Sequence, residues 1–203
     1  MNILLVRHPA PDIEPGRCYG RLDIGLSANG QADLGRLAAS LIASGIVRVW
    51  TSPARRCRRL ADALPAAPTV DDRLQELDFG DWEGRAWDDV PRRALDDWAA
   101  DPFGFAPPGG ESGAALIRRV EAACHDLRDA GEDCIVISHG GPLKLMGAIL
   151  RGGAPDLLAP APPFGSVTHV SVPHKLRQAS SVSTAQSTKT AHAPSTSPVN
   201  PPI

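Results

Sequence analysis

Ile3-Leu4-Leu5-Val6 near the start of the chain and Cys134-Ile135-Val136-Ile137 far along it restrict the fold more than any other feature. Each run is too short for a buried helix and apolar at consecutive positions, so each reads as a central strand covered on both faces. Both runs stop at a histidine, the first in Arg7-His8-Pro9 and the second in Ser138-His139-Gly140-Gly141-Pro142. Pro9 has no amide proton for a sheet ladder and restrains the residue before it, which ends the first strand at Arg7 or His8. In an open α/β sheet, ligands bind beyond the carboxyl ends of the strands. Arg7, His8 and His139 are therefore placed at the mouth of a site. Taken alone, Arg7-His8 reads better as an ordinary strand end beside a surface charge than as part of a site.

Between these runs the pattern alternates. Ser27 is an N-cap for a helix with Leu34, Leu37, Leu41 and Ile42 on one face, closed at Gly45. Val47, Val49 and Trp50 form a short strand that ends at Thr51-Ser52-Pro53, and a helix from about Ala54 carries Arg55, Arg56, Arg58 and Arg59. Val70 belongs to a further short strand, and Phe79 to Gly84 is a turn-rich loop with aromatic anchors. Short helical pieces carry Trp87, Val90, Leu95 and Trp98. Past the Pro107-Pro108-Gly109-Gly110 turn, a longer helix lines up Leu116, Val120, Ala123, Cys124 and Leu127. Pro142 leads into a helix over 143–150, and 165–172 alternates as a last strand. Strands alternating with helices predict a three-layer α/β/α sandwich around a mostly parallel sheet.

The chain has 203 residues, enough for one domain with a sizeable core. That domain is expected over 1–174. From 175 to 203 the composition turns to Ser, Thr, Ala, Gln and Pro, which cannot bury enough surface to offset ordering entropy, so a disordered tail is expected. A formal net charge of -2 argues against a general nucleic-acid or membrane binder, and no stretch is long enough to span a bilayer. The first residues lack the pattern of a secretory signal, so the expected compartment is the cytoplasm. Cys18, Cys57, Cys124 and Cys134 have neither metal-site nor disulfide spacing and read as free, mostly buried thiols.

Arg7-His8, the arginines after Ser52-Pro53, and His139 converge at one sheet edge. Guanidinium forks match the oxygens of a dianionic phosphoryl group, and a neutral imidazole can attack phosphorus. Arginines repel a cation, so no metal is expected at this edge. The remaining histidines, His125, His169, His174 and His192, have no sequence partner that raises them above surface or core duty.

Five stretches in this order resemble the histidine phosphatase superfamily, also called phosphoglycerate-mutase-like. They are Leu5-Val6-Arg7-His8, Thr51-Ser52-Pro53-Ala54-Arg55-Arg56-Cys57, Leu74-Gln75-Glu76-Leu77-Asp78-Phe79-Gly80, Pro108-Gly109-Gly110-Glu111-Ser112 and Ser138-His139-Gly140-Gly141. The resemblance implies that His8 is the nucleophile that becomes a phosphohistidine, with Arg7, Arg56, His139 and Gly140 around the phosphate. Arg56 is selected over Arg55 because it directly precedes a small residue, Cys57; Arg55, Arg58 and Arg59 are left as a solvated helix face. Glu76 matches the acid position that protonates the leaving group, and Glu83 is the runner-up, with a loop salt bridge or cap as its other role. The resemblance calls for no metal and no cofactor.

Arg17-Cys18-Tyr19-Gly20-Arg21-Leu22-Asp23-Ile24-Gly25-Leu26 is similar to a loop of the α-ribazole phosphatase branch, and Pro9 also occurs there. This implies a phosphatase acting on α-ribazole 5′-phosphate in cobalamin synthesis. Tyr19 and Arg21 are then available to meet the leaving group, through ring stacking and a polar contact. Broad-specificity phosphatase, phosphoglycerate-type mutase and non-catalytic phospho-ligand binding are the alternatives. The mutase is disfavoured by the compact, partly acidic stretch from Gly84 to Pro108, and the binding protein by the presence of all the pocket residues. The expected partner is a small phosphomonoester, with a homodimer left open.

Overall fold

The structure, a computed structural model, describes residues 1–173. The expected tail at 175–203, together with His174 and His192, lies outside the described residues. Five strands form one sheet in the order β3-β2-β4-β1-β5, with β1 at Asn2–Arg7, β2 at Val49–Thr51, β3 at Thr69–Val70, β4 at Cys134–Ser138 and β5 at Val167–Ser171. Pairings β1–β4, β2–β4 and β2–β3 are parallel, and β5 closes one edge antiparallel to β1.

Because successive strand side chains point to opposite faces, each apolar run serves two cores. Ile3, Leu5 and Val136 pack with Leu116, Val120, Leu143 and Met146, which come from α4 (Gly113–Ala130) and α5 (Gly140–Leu150). Leu4, Val6, Ile135 and Ile137 face the other way, onto Leu37 and Leu41 of α1 (Ala28–Ala43) and Cys57 and Leu60 of α2 (Arg55–Ala61). The result is the three-layer sandwich. A third cluster lies off the sheet, where Trp82, Trp87, Trp98, Phe79 and Phe105 support the segment containing α3 (Arg92–Ala100). Trp87 and Trp98 stack with ring centroids 6.0 Å apart, and Phe79 meets both edge-on.

Local signals place the starts of the two longest helices and the end of one. The Ser27 hydroxyl accepts from the Gly30 amide to cap α1, and Ser112 caps α4 through the Ala115 amide. Gly131 ends α4 at φ 64°, a conformation glycine adopts without a Cβ clash.

Three expectations need correction. Ile42 is half exposed, since its position on α1 lies at the edge of the buried arc defined by Leu37, Ala38 and Leu41. Val47 precedes β2 and is 73% exposed. Helix α5 begins at Gly140, which makes Pro142 its third residue. Proline fits there because amides in the first turn have no intrahelical acceptor.

Candidate active site

Strand register assembles the site. Arg7 lies opposite Ser138 and Thr51 opposite Ile137, so the next residues, His8, His139 and Ser52, emerge side by side at the carboxyl edge. The His8 amide donates to the Ser138 carbonyl at 3.1 Å, which extends the ladder one step past β1. Both imidazoles are buried, with ring centroids 5.1 Å apart.

His8 Nδ1 lies 2.7 Å from the Pro9 carbonyl oxygen. A carbonyl only accepts, so Nδ1 carries the proton and Nε2 keeps its lone pair. Arg56 Nε donates toward that Nε2 at 3.3 Å. Burial, then the charge of Arg56, and to a lesser extent that of Arg7, push His8 down to about 3, against the opposing pull of the Pro9 bond. The ring is therefore neutral at pH 7. His139 is also held well below the ordinary histidine value, first by burial and then by Arg56, His8 and Arg7. Its Nε2 lies 2.8 Å from Ser52 Oγ. Cys57 Sγ is 3.6 Å from the same nitrogen, and burial pushes its thiol up to about 12, so this neighbour is uncharged.

Arg56 is fully buried. Its Nη1 and Nη2 donate to the carbonyls of Leu22 at 2.9 Å and Gly20 at 2.6 Å. Carbonyl partners fix the guanidinium and leave its net charge for an anion. A Cβ on Gly20 would collide with the Leu77 carbonyl, so this position holds the loop close and aims its own carbonyl at Arg56. Arg7 donates through Nη1 to the Pro162 carbonyl at 2.6 Å and lies 3.9 Å from the Phe164 ring centroid; its Nε is buried without a partner. Gly140 packs on Arg7, where a Cβ would fall 3.2 Å from Cζ.

The Glu76 carboxylate sits at the N-terminus of α5 and accepts from the Gly141 amide at 3.1 and 3.2 Å. A Cβ at Gly141 would occupy its place. Glu76, Arg7 and Tyr19 line a cavity of about 500 Å³ together with Leu77, Phe79, Trp98 and Leu157. Lys144 also borders it, but its ammonium donates to the carbonyls of Leu157 at 2.6 Å and Ala159 at 3.0 Å.

Glu83 stands elsewhere. It accepts from the amides of Arg21, Phe79 and Leu22, and so clasps the 20–22 loop to the turn after Glu76. Arg21 lies 3.5 Å from Asp78 and 3.4 Å from Glu111. Arg55 and Arg59 are exposed, and Arg58 pairs with Asp62. Of the other described histidines, His125 pairs at the surface with Asp129, and His169 is exposed on the edge strand β5.

The sequence reading gave no role to Ser52, Arg119, Lys144, Pro162 or Phe164. A lone aromatic in the proline-rich 160–164 stretch was the one local hint, for Phe164. Among the described residues, no group of three or more His, Cys, Asp or Glu side chains is placed to hold a metal ion, and no helix is long and apolar enough to cross a membrane.

Comparison with known proteins adds a consistent set of relatives. The model of the histidine phosphatase superfamily (branch 1) matches residues 3–183. Phosphoserine phosphatase 1 of Hydrogenobacter thermophilus is 29% identical over 162 residues, covering 75% of this chain and 77% of that protein. The α-ribazole phosphatase of Shigella flexneri superposes with a TM-score of 0.70 at 26% identity, covering 75% of this chain and 81% of the other. A phosphoglycerate mutase from Thermus thermophilus gives 0.67 at 29%, covering 86% and 95%.

Proposed function

The chain belongs to the histidine phosphatase superfamily and is a phosphatase, and from that premise we propose a metal-independent phosphomonoesterase that forms a phosphohistidine on His8 and acts on α-ribazole 5′-phosphate. The observation that carries the mechanism is the buried, neutral His8, with its lone pair on Nε2 beside Arg56. A phosphoryl group in this pocket takes donors from Arg56 and Arg7, and their charges offset the negative charge on its oxygens in the transition state. The bond from Nε2 to phosphorus forms as the ester P–O bond breaks. The departing oxygen receives the proton of the Glu76 carboxyl group. Glu76, now a carboxylate, then takes a proton from water, the water oxygen bonds to phosphorus, and the P–Nε2 bond breaks to restore His8. General acid–base help of this kind contributes roughly a hundred- to ten-thousandfold.

The finer assignment rests on the cavity. Its walls carry Tyr19, Phe79 and Trp98, which suits a ring-bearing alcohol. Arg21 is paired with the carboxylates of Asp78 and Glu111, so its charge is already matched; Lys144, held by two carbonyls, keeps its charge at the cavity border, which makes phosphoserine and 3-phosphoglycerate the competing substrates to test. The test compares kcat/KM on α-ribazole 5′-phosphate, phosphoserine and 3-phosphoglycerate in the presence of EDTA. The expected result is preference for α-ribazole 5′-phosphate, undiminished by chelator and lost in His8→Ala. Equal or better turnover of phosphoserine, or isomerisation of phosphoglycerate dependent on added bisphosphate, overturns the substrate assignment. Loss of activity in EDTA overturns the metal-free mechanism.

A further inference from the structure

The stretch from Arg73 to Glu76 leaves a short helical turn and runs outside the sheet, so its carbonyls need donors from elsewhere. Arg119, on α4, supplies them. Its Nη1 donates to the carbonyls of Arg73 at 2.7 Å and Gln75 at 2.6 Å, and its Nη2 to that of Glu76 at 2.9 Å. The remaining donors meet Glu111, Nε at 3.1 Å and Nη2 through the other carboxylate oxygen. All five N–H groups of the guanidinium are thus engaged, with both side chains about 15% exposed. Glu76 is held at two ends, its carbonyl on Arg119 and its carboxylate on the amides of Gly141 and, at 3.0 Å, Leu77. Glu111 also receives the Asp78 amide at 3.2 Å and lies 3.4 Å from Arg21. The same ion pair thereby joins the acid loop to the loop whose carbonyls seat Arg56.

We propose that Arg119, seated on Glu111, is the positioning residue of the proton-transfer step: it fixes where the Glu76 carboxyl group meets the departing oxygen. This rests on the phosphatase reading above. Lysine cannot replace the planar fork, because it offers three donors from a compact ammonium on a flexible stem. A displacement of the acid by about 1 Å costs on the order of a hundredfold in rate. The loss falls on esters whose alcohol must be protonated to leave, and spares those that leave as a stable anion.

The experiment measures kcat/KM, which reports the steps up to phosphohistidine formation, for an alkyl phosphomonoester (2-phenylethyl phosphate) and for p-nitrophenyl phosphate. Arg119→Lys is expected to lose about 30- to 100-fold on the alkyl ester and less than about fivefold on the nitrophenyl ester, with inhibition by inorganic phosphate changed less than about twofold. Added to Glu76→Gln, it should cost little more on the alkyl ester, since both act on one proton transfer. Glu111→Gln, which keeps the shape and removes the charge, should shift the two esters in the same direction by a smaller factor. It carries the test if Arg119→Lys fails to fold by circular dichroism. Equal losses on the two esters, no loss on either, or weakened phosphate inhibition overturns the role of Arg119. A wild-type protein inactive on both esters, or an active His8→Ala, instead overturns the phosphatase reading on which it rests.

Discussion

Replacing His8 by glutamine should flatten the acid side of the stability profile, by an amount that follows from its burial. In the unfolded chain the imidazole titrates near 6.5, and in the folded protein burial and Arg56 hold it at about 3. Between those values the unfolded state binds the proton and the folded state does not, so the His8 contribution is complete above pH 6.5 and falls as pH drops toward 3. Linkage with these two values gives a loss of about 2 kcal/mol from this group alone between pH 7 and pH 5. His139, also held low, adds its own loss in both proteins, because burial and Arg56, the two largest causes, stay in place in the variant. The assay is urea unfolding of wild type and His8→Gln at pH 7 and pH 5. The wild type should lose about 2 kcal/mol more than the variant over that interval. Parallel losses within about 0.5 kcal/mol would show that His8 titrates normally when folded, and the argument for a neutral nucleophile would fail with it. If it holds, the same property keeps the attacking nitrogen unprotonated well below neutral pH.

Two further substitutions test the pocket directly. Glu76→Gln should lower turnover of alkyl esters by roughly a hundred- to ten-thousandfold while inorganic phosphate still inhibits at its original concentration; if Glu83→Gln does this instead, the acid has been misassigned. Gly20→Ala places a methyl group against the Leu77 carbonyl and pushes away the carbonyl that holds Arg56. Phosphate affinity measured by calorimetry should fall about tenfold or more, as expected when a charge-assisted contact worth about 1.5–3 kcal/mol is disturbed. Unchanged affinity would mean that the loop does not set Arg56.

Much of the frame was legible in the chain. Apolar runs at 3–6 and 134–137 became adjacent central strands because four consecutive apolar residues, most of them branched, have few other ways to be buried on both faces. Ser27 and the apolar spacing of 116–127 marked helices through local geometry alone. Burial of Arg56 and exposure of Arg55 also follow the sequence reading, since neighbouring helix positions point in different directions, one toward the strand ends and one toward solvent.

Glu76 and Glu83 show where that legibility stops. As sequence they are two carboxylates seven positions apart in turn-rich segments; the motif resemblance ranks Glu76 first, but local physical chemistry does not separate them. In the fold both carboxylates accept from backbone amides, Glu83 from those of Arg21, Leu22 and Phe79 and Glu76 from those of Gly141 and Leu77, but Glu76 is the one that lines the cavity. Arg7 is completed by Pro162 and Phe164, about 155 residues away, and Arg119 grips carbonyls more than 40 residues before it. The sequence by itself determined the strands, most helices and the two histidines at their ends, because backbone sterics and apolar periodicity act over a few neighbouring residues. Tertiary structure alone decided which donor meets which acceptor, because hydrogen bonds and charges in a buried site depend on distances through space, and the chain order does not contain them.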